Sequence, residues 1–229
     1  MLAEVLLDTA IDVHYRFLTL GPADGDPGDL EEAARGQVNG LCQAAVPGRL
    51  RMVTGLHTGN VHVRIELHDG EPPLGDEWED AVETIFATTD DDLWLTAFDS
   101  GEGPVDLPPG TYRVRYCARG FEAAHDLDTL LDGEPVDHYL VQFWPLAGAD
   151  RILRTSGPAA TYWHTEGLRP LPDADELRDR VRAVRTRRAE RQAEQEDGYD
   201  AGDMWGGDPP DDPRVLDSAD GTASLWQLD

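Results

Sequence analysis

The sequence predicts an all-β fold, an antiparallel β-sandwich with an appended C-terminal α-helix and a disordered acidic tail. Three observations predict it. About seven to nine short segments alternate apolar and polar residues with a period of two, separated by Gly, Pro or Asp turn signals. From Pro172 the apolar spacing becomes helical, with Leu177, Val181 and Val184 in one narrow stripe. From about Glu196 the chain is acidic, rich in Gly and Pro and poor in branched aliphatics, so it cannot bury enough apolar surface to fold. The predicted organisation is a sandwich domain over residues 1–171, an Arg-rich helix over 172–196 and a disordered tail over 197–229.

In chain order, Ile11–Leu20 sets Ile11, Val13, Tyr15 and Phe17 against Asp12, His14 and Arg16, which predicts one half-buried strand. In Leu30–Cys42, Glu31 and Glu32 suit the first turn of a short helix, although Gly36 and Gly40 disfavour its interior. Arg49–Thr54 and Asn60–His68 read as strands. The second places Val61, Val63, Ile65 and Leu67 on one face and His62, Arg64, Glu66 and His68 on the other. Gly55–Gly59 between them suits a hairpin connection. Glu77–Phe86 fits either period, and the strands on both sides of it favour a strand. Leu93–Phe98 is a short apolar strand, and Gly101-Glu102-Gly103 reads as a turn.

The best-specified element is Leu107–Gly120. Pro108-Pro109-Gly110 makes a turn, and the strand after it puts Tyr112, Val114 and Tyr116 on one face and Arg113, Arg115 and Cys117 on the other. Phe121–Val136 reads as a polar loop. Asp137–Pro145 carries apolar residues on both faces, as a central strand does, and Arg151–Thr155 suits an edge strand. Asp173 or Asp175 can cap the C-terminal helix.

Charge narrows the function classes. The 229 residues carry 46 Asp and Glu against 19 basic residues, every one an Arg, for a net charge of −27. Residues 1–172 hold 30 acids and 11 Arg, so the sandwich itself is acidic. Residues 65–112 hold 14 acids and no Arg. Such a field repels nucleic acid and anionic membrane, because phosphate binding needs cationic side chains to displace counterions. A basic protein surface is the partner it attracts. The N-terminus lacks the basic segment of a signal peptide and no run of 18 apolar residues occurs, so a cytoplasmic protein is expected. Cys42 and Cys117 have no metal-type spacing and read as small buried hydrophobes.

Little in the sequence points to catalysis. His62 and His68 share a strand face but lie about 20 Å apart by strand rise, too far to hold one ion. The other histidines are scattered, with no HxH, HExxH or Cys/His cluster. Asp90-Asp91-Asp92 lacks the spacing of a calcium loop, and neither a GxSxG motif nor a phosphate-cradling glycine loop is present. A non-enzymatic protein without a cofactor is expected. The candidate partner-binding residues are the loop acids Asp69, Glu71, Asp76, Glu77, Glu79, Asp80, Asp90, Asp91 and Asp92, with Glu66 and Glu83 beside them. Sandwich loops cluster at two ends, so these acids are expected to converge on one end, mimic a phosphate backbone and steer an Arg/Lys-lined cleft towards it. Two other readings stand beside this one. Trp94, Trp144, Trp163 and Tyr112 suggest a small-molecule or carbohydrate module, and the tail segments Asp203–Gly207 and Ser224–Leu228 suggest a scaffold.

Three segments also resemble a known family. IDVHYRFLTL, an acidic middle, then VDLPPGTYRVRYCARG and YLVQFWP are similar to the competence protein J family, small bacterial β-sandwich proteins that include an inhibitor of the DNA-entry nuclease. The resemblance covers about residues 11–146, and the family has no catalytic motif to carry over. It implies a sandwich fold and, for at least one branch, inhibition of a nuclease by an acidic protein. This chain differs in its added Arg-rich helix and acidic tail.

Overall fold

The computed structural model describes residues 3–22, 32–89, 92–98, 101–146 and 148–168, together with Arg178, Arg182, Arg185 and Thr186. The chain divides into two units, Met1–Leu171 and Pro172–Asp229. In the second unit Arg178, Arg182, Arg185 and Thr186 are helical; the remainder of the expected helix and tail lies outside the described residues.

The first unit is mostly β, with two sheets facing each other as a sandwich that does not close. The larger sheet runs in the order β1 (Ala3–Val13), β5 (Thr58–His68), β11 (His138–Trp144), β9 (Gly110–Arg119), β6 (Asp80–Thr88) and β12 (Arg151–Arg154), with β10 (Thr129–Leu130) beside the start of β5. The smaller sheet runs β3 (Cys42–Gln43), β4 (Leu50–Val53), β2 (Phe17–Pro22), β7 (Leu93–Thr96) and β8 (Gly101–Val105). Among the described residues two short α-helices, α1 (Phe121–Leu127) and α2 (Pro158–Thr165), accompany the sheets.

Period-two alternation builds the core. Val61, Val63 and Ile65 of β5, Tyr139, Val141 and Phe143 of β11, and Tyr112, Val114 and Tyr116 of β9 face inward from the larger sheet. Leu18, Leu20, Leu50, Met52, Leu93 and Leu95 meet them from the smaller one. Both cysteines are buried and form no disulfide. β11 is central and β12 is an edge, as expected. β9 is buried on both faces, because its outward residue Cys117 packs with Ala81 and Leu140 under Leu74, Trp78 and Leu153.

Several expectations are corrected. The larger sheet is mixed: β11 runs parallel to β5 (Tyr139 opposite Val63) and antiparallel to β9. The strand expected over Ile11–Leu20 breaks at His14, and its halves enter different sheets through a tight turn at Tyr15-Arg16. Alternation passes through that turn by coincidence, which hides it. β4 and β5 form no hairpin, since the segment between them crosses from one sheet to the other. Residues 32–36 are turn rather than helix, in keeping with the two glycines. Gly101–Val105 is a strand, not a turn. Phe121–Leu127 is a helix where a loop was expected. It starts at Gly120, whose φ of 77° suits glycine, and no side chain caps it, so the usual N-cap signature is missing.

Candidate functional site

The acidic segment 69–79 links the end of β5 to the start of β6 by running back across the outer face of the larger sheet. It lies there as a strap. Pro72 O accepts a hydrogen bond from Arg115 Nη1 at 2.7 Å, Leu74 and Trp78 cover Cys117, and Glu79 N donates to Ala118 O at 3.0 Å.

Under the strap sits a buried ion cluster. Glu83 of β6 is 0% exposed. Its Oε2 accepts from Arg113 Nε and Nη2 at 2.9 and 2.8 Å and from Arg151 Nε at 2.8 Å, while its Oε1 accepts from Arg115 Nε at 2.9 Å. The register supplies this, since β6 places Glu83 opposite Arg115 on β9 and Arg151 on β12. Burial pushes the Glu83 carboxyl up, but its guanidinium partners outweigh it, and the carboxyl is held below its ordinary value. Arg115 Nη2 also donates to Glu71 at 3.0 Å. Arg154 donates to the Gly75 and Trp78 carbonyls and lies 3.5 Å from Asp76. Further along the same face, Glu66 accepts from Arg64 and Gln142 and pairs with His68, and it too is held low despite burial.

Each candidate acid can now be placed. Glu83 is inside the sheet face, not on the surface. Asp80 is 1% exposed, accepts from Ser156 N and Ser156 Oγ at 2.6 Å each, and has its carboxyl raised by burial. Asp69, Glu71, Asp76, Glu77 and Glu79 are exposed, although arginines engage Glu71 and Asp76. Asp92 is exposed and accepts from Trp94 Nε1 at 2.9 Å; Asp90 and Asp91 lie outside the described residues. Glu79 directly precedes β6 and Asp92 comes after its far end, so the nine residues of that strand stand between these two described acids, whereas Asp69 begins the strap at the end of β5.

What the strap does reach is α1. Glu79 Oε2 accepts from Gly120 N at 2.9 Å at the entrance to that helix, and its far end carries exposed Asp126 and Asp128. Asp12, Asp132 and Glu134, all exposed, lie in segments adjoining this end. Asp76, Glu77, Glu79, Asp126 and Asp128 therefore follow one another along one end of the sandwich. The positive charges described there are Arg16, which pairs with Asp128 and donates to Gly55 O, Arg154, and exposed Arg119. Charge counting does not group Asp126 and Asp128 with the strap, because they sit outside the acid-only run. The detectable signal was their place in the residues following the Arg-bearing strand.

Other chemistries fare differently. Trp144 and Tyr112 are buried and half-buried Trp163 packs edge-on against Phe17, so three of the four aromatics suggested for a carbohydrate face pack into or against the protein interior. Asp137 is buried, accepts from Tyr139 Oη and Leu56 N, and is raised by burial; it ties β11 to the crossover at Leu56. Among the described residues no group of three or more His, Cys, Asp or Glu is placed to hold a metal ion, and no helix is long and apolar enough to cross a membrane.

No family model and no curated protein matches the chain. Two solved structures are similar to it. One is the crystal structure of ComJ, inhibitor of the DNA degrading activity of NucA, from Bacillus subtilis, at 16% identity over 64% of this chain and 100% of that one, with a TM-score of 0.47. The other is described as crocagin biosynthetic gene J, at 15% identity over 63% of this chain and 99% of that one, with a TM-score of 0.43. These likenesses concern the fold alone.

Proposed function

We propose that this chain is a non-enzymatic acidic binding protein that docks the α1 end of its sandwich into the basic cleft of a protein partner. A nuclease or another nucleic-acid-handling protein is the class that fits, because such clefts are lined with Arg and Lys to hold phosphates. One observation carries the reading. Along Glu77, Glu79 and Asp126 the carboxylates are exposed and make no arginine ion pair among the described residues, whereas Glu83 and Glu71 on the sheet face meet arginines. Residues 1–171 form the binding body in this proposal, with the helix of 172–196 and the tail of 197–229 as appendages. The resemblance to the competence protein J family makes a nuclease the first partner to try.

Affinity purification from the source organism, washed at about 50 and about 300 mM salt, tests this. A basic partner released by the higher salt is the expected result, with retention reduced in the Asp76→Asn/Glu77→Gln/Glu79→Gln variant. Recovery of no basic partner, or capture indifferent to salt and to those substitutions, would overturn it.

A further inference from the structure

The turn between β1 and β2 displays aromatic rings to solvent. Phe98 is 69% exposed and Tyr15 53% exposed, and their ring centroids lie 4.9 Å apart at 69°. His57 packs edge-on against Tyr15 at 5.5 Å, and His14 lies 5.4 Å from it. The backbone positions this cluster against the usual preference. Tyr15 and Arg16 have φ of 59° and 66°, a turn geometry that ordinarily selects Asn-Gly. Asp128, which accepts from His57 N at 2.8 Å through its carbonyl, has φ of 63°. Leu127 beside it is exposed too.

This surface adjoins the acids of the α1 end, and that combination narrows what can cover it. A second copy of a chain carrying −27 is repelled, as is a nucleic-acid strand whose bases might otherwise stack on the rings. A cationic side chain with a flat, weakly hydrated head satisfies both features. A guanidinium stacks on a ring face while donating in a fork to a carboxylate, which the compact and strongly hydrated Lys ammonium does less well. The chain uses this chemistry internally: Arg51 lies 3.4 Å over the Phe17 ring and Arg115 lies 5.1 Å over Trp144.

We infer that the Tyr15–Phe98 cluster is the anchor of the docking surface and receives an arginine-bearing segment of the basic partner, with Asp126, and Asp128 beside its pair with Arg16, as its counter-charges. The inference rests on the proposed function and adds to it a specificity for Arg over Lys. Oligo-arginine and oligo-lysine peptides of equal length, titrated calorimetrically at low salt into the full-length chain, test it. Wild type is expected to bind oligo-arginine about two- to fivefold more tightly. Phe98→Ala should remove that preference at an unchanged melting temperature. Glu77→Gln/Glu79→Gln should weaken both peptides equally and keep it. Equal binding of the two peptides, or a preference that survives Phe98→Ala, overturns the inference and leaves the acidic-docking proposal standing. Binding of neither peptide overturns both.

Discussion

On the outer face of the larger sheet, Glu83, Glu71 and Asp76 lie against Arg113, Arg115, Arg151 and Arg154. At the α1 end, Glu77, Glu79 and Asp126 make no arginine ion pair among the described residues. The same residue types serve different ends in the two places. On the sheet face they cross-link strands β9, β6 and β12. At the α1 end Glu77 and Asp126 are exposed, and Glu79 meets a backbone N–H, that of Gly120, rather than a guanidinium. Net charge alone cannot separate the two roles; the position of the arginines does.

Substitutions should therefore split into two classes. The largest effect is expected from Glu83→Gln, which keeps the shape but leaves buried Arg113 without its counter-charge and buried Arg115 with Glu71 alone. A loss of about 3–5 kcal/mol, measured by urea unfolding, is expected. An effect as small as that of a surface acid would remove the distinction between the regions.

Acid should act next. Glu83 and Glu66 are held below their ordinary values when folded, so their contribution is complete above the unfolded value near 4.5 and is lost as pH falls through the lower folded values. Asp80 and Asp137 are raised, so their contribution is complete below the unfolded value near 3.8 and is lost as pH rises through the folded ones. Urea midpoints followed from about pH 6 down to about pH 3 should fall in wild type, and less steeply in Glu83→Gln.

Arg151→Ala should cost less, about 1 kcal/mol, because that side chain is half exposed and water replaces part of what it gives Glu83. The smallest stability change is expected from Asp126→Asn, within about 0.5 kcal/mol. Its effect should fall instead on the association rate with the captured partner, and that difference should shrink as salt rises. A large stability loss there would assign Asp126 to the scaffold.

Most strands were legible because alternation survives wherever one face is buried, as in Val61, Val63 and Ile65. The turn at Tyr15-Arg16 was not, because Tyr15 continues the pattern while facing solvent. The ion cluster was only half legible. Arg113 and Arg115 stood out as the first positive charges after a long acidic run, yet their partner Glu83 read as one more surface acid. Nothing local marks a carboxylate whose guanidiniums arrive from strands some 30 and 68 residues away. The acidic end was hidden for a related reason: strand β6 separates segments that composition groups together, while the strap joins Glu79 to a helix that no cap announces.

The mixed order of the larger sheet has a consequence for how the chain is made. β1 pairs with β5 about 50 residues later, and β5 stays open on its other side until β11 is available more than 70 residues further on. Pairings of such separation must pay for closing long loops before any contact rewards them, which slows folding into the millisecond-to-second range. During synthesis the first strand emerges long before its partners. β5, rich in Val and Ile, spends that interval as an edge that other nascent chains can template upon, and its His, Arg and Glu residues supply the charge that discourages them.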